Sequence, residues 1–166
     1  MGACILYAGS LTICRTRKNT MQITSRFTIA VHIITATDYF SGSETVTSNS
    51  LAGSIGANPV IVRGVMGDLK EAGIISISQG KSGITLSRPL EEITFFDLCQ
   101  ALDCIGGEGL FHFHERPNEK CPVGRHIHAA VDEKLRRVQT AMEEEMKKIT
   151  LADVAEALRQ EMHREK

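Results

Sequence analysis

The residues whose types can do chemistry are five cysteines (Cys4, Cys14, Cys99, Cys104 and Cys121) and four histidines in two close pairs, His112 with His114 and His126 with His128. An odd number of cysteines in a chain of 166 residues, long enough to bury a core without staples, points to a reducing compartment and to thiols that are unbridged, metal-binding or redox-active. The histidine spacing does not converge. Residues two apart point to opposite faces of an extended chain and to different sides of a helix. A zinc or iron site would have to draw on Cys104, Cys121 and either His112 or His114. Thiol redox chemistry needs less, namely one accessible thiolate and one resolving partner. Cys121 lies just before a long helical stretch, whose N-terminus favours an anion, and Cys104 is its nearest partner in sequence. Cys99, directly after Leu98, reads as a small buried hydrophobe. No Ser/His/Asp arrangement, phosphate-binding glycine loop or paired carboxylates are present, so the chain does not read as an enzyme.

The elements that must position these residues follow from periodicity. From Gln22 to Tyr39, Ile23, Phe27, Ala30, Val31 and Ile34 recur at helical spacing, and Ser41-Gly42-Ser43 ends that helix. Thr47 caps a short helix carrying Leu51 and Ile55. After a turn at Gly56-Ala57, Asn58 and Pro59 open a third helix as N-cap and first helical residue. Its inner face is Val62, Val65, Met66 and Leu69, and Gly73 stops it. Ile75 and Ile77 then alternate with Ser76 and Ser78, and Ile84-Thr85-Leu86 returns, which predicts a hairpin with a polar, basic tip over 79–83. Thr94 caps a further helix with Phe95, Leu98 and Leu102 inward. Residues 104–124 read as a loop. A long helix runs from about His126 to Lys148, with Val131, Leu135, Val138 and Met142 as a near-heptad apolar seam. Thr150 caps a last helix carrying Leu151, Val154 and Leu158.

Charge is unevenly spread. Residues 1–40 balance to +3, residues 41–90 to +1 and residues 91–166 to −5, so the front of the chain is the part suited to an anion. No stretch of about 18 uncharged apolar residues exists to span a membrane. The first residues lack the basic start of a secretory signal, and a cytoplasmic location is expected. Residues 1–20 contain no acid, no helical period and no cap. They read as upstream sequence or a loose arm with Met21 as the natural start; the alternative is a basic arm touching DNA phosphate.

Three helices followed directly by a hairpin is the order of a winged helix–turn–helix. The third helix turns Val60, Ile61, Arg63, Gly64, Gly67 and Lys70 outward. Its two glycines cost about 1 kcal/mol each relative to Ala, a cost that close approach to another backbone or to DNA would offset. Arg63 has the chemistry to read guanine or bind phosphate, and Lys81 at the hairpin tip can reach phosphate or the minor groove. The same tri-helical frame also serves as a protein–protein module without DNA.

Five motifs in order carry a resemblance: Leu51-Ala52, Leu69-Lys70-Glu71-Ala72-Gly73, Gly80-Lys81-Ser82-Gly83, Leu86-Ser87-Arg88-Pro89 and Glu92-Ile93-Thr94. Together they resemble the DNA-binding part of the Rrf-two family of winged-helix transcription regulators. The likeness runs from about Met21 to Leu158. The wing departs from it at Ser82, where the family has Gly. The resemblance implies a bacterial homodimer on double-stranded DNA, with contacts at Ser48, Asn58, Val60, Ile61, Arg63, Lys81 and Ser82. Many members sense through cysteines in the loop before the long helix, and some hold an iron–sulfur cluster on three closely spaced Cys and a fourth ligand. Cys121 matches the last loop cysteine, but the middle one has no counterpart. A cluster or metal is therefore the disfavoured alternative, and no cofactor is assigned.

The resulting expectation is a mostly α chain with a small β-hairpin. Residues 21–90 form the winged helix–turn–helix and residues 91–166 form a sensor loop and dimerisation helices. Its function is to repress transcription from a specific DNA site, with redox response through Cys121 and Cys104 and dimerisation through Val131, Leu135, Val138 and Met142. A metal-dependent sensor of the same fold and a non-DNA interaction module are the alternatives.

Overall fold

The computed structural model describes residues 25–78, 83–104, 111 and 117–165. The readings of residues 1–20 and of the hairpin tip at Lys81 and Ser82 fall outside the described residues. Helix α1 (Ser25–Tyr39) is the hub, with Phe27, Ile29, Ala30, Ile33, Ile34, Thr35, Ala36 and Thr37 all buried. Periodicity predicted one apolar face. The helix is instead covered on several sides, because α2, α3, α4, α6 and the second strand all pack on it. Its two buried threonines bond back into their own helix: Thr37 Oγ1 donates to the Ile33 carbonyl at 2.7 Å and Thr35 Oγ1 to that of Val31 at 2.9 Å, so no hydroxyl is stranded in the core.

Helix α2 (Ser48–Ile55) starts at a capping box between Thr47 and Ser50. Helix α3 (Pro59–Glu71) starts with Asn58 accepting from the Val60 N–H at 2.8 Å and Pro59 in the first turn. It ends in a paired turn. The Gly73 N–H donates to the Lys70 carbonyl at 3.0 Å and the Ile74 N–H to that of Leu69 at 2.9 Å, with Gly73 at φ 70°. This closure brings the side chains of Leu69 and Ile74 together, and both are fully buried. Strands β1 (Ile75–Ile77) and β2 (Ile84–Leu86) then pair antiparallel, Ile75 opposite Leu86 and Ile77 opposite Ile84. The Ile84 N–H also donates to the Val46 carbonyl at 3.2 Å, which ties the wing to the loop before α2. Gly83 is required there: at φ +61° a Cβ would lie 2.5 Å from the Val46 oxygen.

Helices α4 (Phe95–Ala101) and α6 (Leu151–Arg164) begin side by side. Each is opened by a threonine–aspartate capping box, Thr94 with Asp97 and Thr150 with Asp153. The two caps are bridged, with Phe95 N–H donating to the Ile149 carbonyl at 2.9 Å and Leu151 N–H to that of Ile93 at 2.8 Å. Between them runs α5 (Pro122–Met146), a helix of 25 residues in which only Met146 is buried. It begins four residues before the expected His126. Pro122 is the reason: it occupies the first turn, where a missing N–H costs nothing, rather than marking loop.

Gly64 and Gly67 are exposed within α3. A Cβ built on either meets nothing within 4 Å. Among the described residues no close approach of another backbone therefore explains them, which leaves approach to DNA as the offset. Gly64→Ala and Gly67→Ala should each raise stability by roughly 1 kcal/mol, read from urea midpoints at constant slope. Destabilisation by either would mean that the fold itself needs the glycine.

Candidate nucleic-acid interface

Helix α3 has two chemically distinct sides. Val62, Val65, Met66 and Leu69 are buried against the hub. On the other side Arg63, Gly64, Gly67 and Lys70 are exposed, and so are two aliphatic residues, Val60 at 67% and Ile61 at 47%. Aliphatic side chains left in water at the start of a helix are poorly placed for solubility, but suit contact with thymine methyls in a major groove. The Arg63 guanidinium makes no ion pair or hydrogen bond among the described residues, so its donor fork is available. Asn58 is exposed, but its side-chain oxygen is already held by the Val60 N–H, leaving its NH₂ as the group free to donate. Ser48 is half-buried in the first turn of α2.

The electrostatics of this side are set by one ion pair. Asp68 of α3 is bound by Arg26 of α1, and its side chain is only 18% exposed. The carboxylate is thus neutralised and turned toward the body, which removes a negative charge from a face that would meet phosphate. The wing hairpin stands next to α3, closed at its described edge by Ser78 N–H donating to the Gly83 carbonyl at 3.0 Å.

The cysteines divide into two environments. Cys121 is the N-cap of α5 and is exposed. It forms no full capping hydrogen bond, yet the N–H groups of Gly124 and then Val123 act on its sulfur and hold its pKa below the usual thiol value. This is the helix-end effect expected from sequence. Cys104 is 5% exposed and Cys99 fully buried. Within the chain the side chain that acts most on the Cys104 thiol is that of Cys99. Among the described residues no group of three His, Cys, Asp or Glu converges on a point that could hold a metal. His128 is engaged along its own helix, its Nδ1 3.4 Å from Asp132. His112 and His114 lie outside the described residues. The donors that are described therefore do not fit an iron–sulfur cluster.

The seam residues of α5 fall in one stripe. Val131, Leu135 and Met142 are half-buried, Met142 against the chain's own core, and Val138 is 55% exposed. A second apolar surface, a groove of about 440 Å³, opens between α1 and α6. It is lined by Val31, Tyr39 and Phe40 on one wall and Val154, Leu158 and Met162 on the other. Val154 and Leu158 lie about one and two turns beyond the buried Leu151 on the apolar side of α6 expected from sequence.

A family model, Rrf2, described as iron-dependent transcriptional regulator, matches residues 23–157. The chain belongs to the Rrf2 family. This Rrf2 chain is 38% identical over 133 residues to a Bacillus subtilis protein named as HTH-type transcriptional regulator YwnA, covering 80% of this chain and 96% of that one. Among solved structures it is similar to a DNA-binding protein at 32% identity, with TM-score 0.60 over 78% of this chain and 97% of that chain. It also shares the fold of CymR, the global cysteine regulator of B. subtilis, with TM-score 0.63 at 19% identity over 82% and 97% of the two chains. The Rrf2 chain is thus a transcriptional regulator with a winged-helix DNA-binding fold. Its family and relatives are regulators, not enzymes. Among the described residues no helix is long and apolar enough to cross a membrane.

Proposed function

We propose that the chain is a cytoplasmic, dimeric repressor that reads a palindromic DNA site with α3 in the major groove and the wing alongside. The observation that carries this reading is the outward side of α3. It combines exposed aliphatic residues, an unengaged arginine and two glycines with no role in the chain's own packing. Ser48, Asn58, Val60, Ile61 and Arg63 are its contacts on the helices, with Lys81 and Ser82 on the wing. Dimerisation follows from α5. Val131, Leu135, Val138 and Met142 form an apolar stripe on a helix otherwise rich in Glu, Lys and Arg, and one copy of the chain buries none of the four fully. Pairing two copies buries the stripe and sets two α3 helices about 34 Å apart, one turn of DNA. Redox control acts through Cys121, whose oxidation at the root of α5 tilts one reading head against the other.

Three measurements test this. Arg63→Ala should lose roughly 1–3 kcal/mol of specific binding if it reads a base, and Lys81→Ala should lower the salt slope by about one. Two variants that bind as the parent does would overturn the docking. Leu135→Asp combined with Val138→Asp should give monomers in sedimentation that keep helical content and lose operator binding; a dimeric variant moves the interface elsewhere. Diamide should change operator affinity less in Cys121→Ser than in the parent, with chelator present to exclude metal, and an equal response removes Cys121 as a sensor.

A further inference from the structure

Helix α4 ends in the same paired turn that ends α3. The Asp103 N–H donates to the Gln100 carbonyl at 3.1 Å and the Cys104 N–H to the Cys99 carbonyl at 2.9 Å. Asp103 fills the left-handed position at φ 51°, the one described residue other than glycine with positive φ. In this motif the residue that supplies the inner carbonyl and the residue that supplies the outer N–H bring their side chains into contact. At the end of α3 that pair is Leu69 with Ile74. At the end of α4 it is Cys99 with Cys104. The Cys99 side chain is the group that acts most on the Cys104 thiol, favouring its anion. The backbone bond joining these two residues keeps their Cα atoms within the short separation a disulfide requires.

We propose that Cys99 and Cys104 are a redox pair which a hydroperoxide converts to an intramolecular disulfide across the C-terminal turn of α4. Cys104 is the attacking thiol, since it keeps 5% exposure while Cys99 has none. The Cys99 thiol and then the Arg26 guanidinium favour its anion, against the opposing pull of burial. The Cys104 thiolate attacks the peroxide, an S–O bond forms, the O–O bond breaks, and hydroxide or alkoxide leaves and takes a proton. Cys99 then attacks the sulfenic sulfur. The S–S bond forms, the S–O bond breaks and water leaves. The two thiols lose two electrons and both their protons, and the peroxide gains them.

Arg26 gives this chemistry a route to the reading helix. The guanidinium beside Cys104 is the one that binds Asp68 of α3. Oxidation removes the Cys104 thiol as a group able to carry charge beside the guanidinium that also binds Asp68. This regulatory step rests on the reading of α3 as the DNA-contacting helix. The chemistry of the thiol pair does not.

The test uses the full chain carrying Cys121→Ser, treated with hydrogen peroxide, alkylated and digested with trypsin. No Lys or Arg lies between Cys99 and Cys104, so trypsin leaves both in one peptide, and cleavage at Lys120 separates it from position 121. The expected result is a loss of two hydrogens from that peptide together with loss of alkylation at both cysteines, both reversed by dithiothreitol. Cys104 found as a stable sulfenic or sulfinic acid beside an alkylatable Cys99 would overturn the pair. So would two alkylatable thiols under a peroxide dose that oxidises Cys121 in the parent. Cys99→Ala should leave a sulfenic acid on Cys104 that dimedone traps; if that variant does not fold, the peptide map alone decides. Operator affinity of the Cys121→Ser chain should shift on oxidation and return on reduction. An unchanged affinity with the disulfide formed would overturn the coupling through Arg26. A chain that binds no DNA in either state would overturn the proposed function while leaving the mapped disulfide standing.

Discussion

Everything in this molecule is hung on the burial of α1. Eight of its fifteen residues are removed from water, and at about 25 cal/mol per Å² of buried apolar surface this contributes substantially to the cohesion of the helical body. Because this helix is covered on several sides, most of its neighbours are positioned by contact with the same rod. That is why α3 can leave aliphatic and glycine residues uncovered on its far side. Its inner four apolar residues are held by α1, and its outer face carries no structural duty. The ion pair between Arg26 and Asp68 sets the alignment of the same two helices.

The second organising fact is how little of α5 the body uses. A helix of 25 residues rises about 37 Å, longer than the rest of the chain needs, and it is anchored only near Met146. The apolar side chains left along it, and the groove between α1 and α6, are the surfaces a lone copy fails to cover. The dimer proposed above is the arrangement that makes these exposures sensible.

Most of the scaffold was legible because it is written in local chemistry. Thr47, Asn58, Thr94 and Thr150 each cap the helix they were expected to cap, since a side-chain oxygen before an apolar run satisfies a donor whatever the tertiary context. The hairpin was legible from alternation, and Gly73 from its position after the last apolar residue of α3. The misses are tertiary or ambiguous. The coverage of α1 on several sides cannot be read from one face of a helical wheel. Pro122 has the same appearance in a loop and in a first helical turn. The contact of Cys99 with Cys104 depends on a left-handed residue, and Asp103 carries none of the signal that a glycine would have given. The outward residues of α3 were identified correctly as exposed, because helical period alone fixes them once the inner face is known.

The bridged caps at Thr94 and Thr150 have a consequence for how such chains diversify. The chain leaves the reading head at Ile93 and re-enters it at Leu151, and these two residues are joined by a backbone hydrogen bond of 2.8 Å. Everything between them is topologically a closed excursion with its entrance and exit side by side. The excursion includes α4, which packs on α1 and α3 and puts Leu98 and Cys99 into the core, so changes of length that leave α4 intact do not alter the distance the endpoints must span. A chimaera that exchanges only the part between α4 and α6 therefore keeps the helical body and its joined ends.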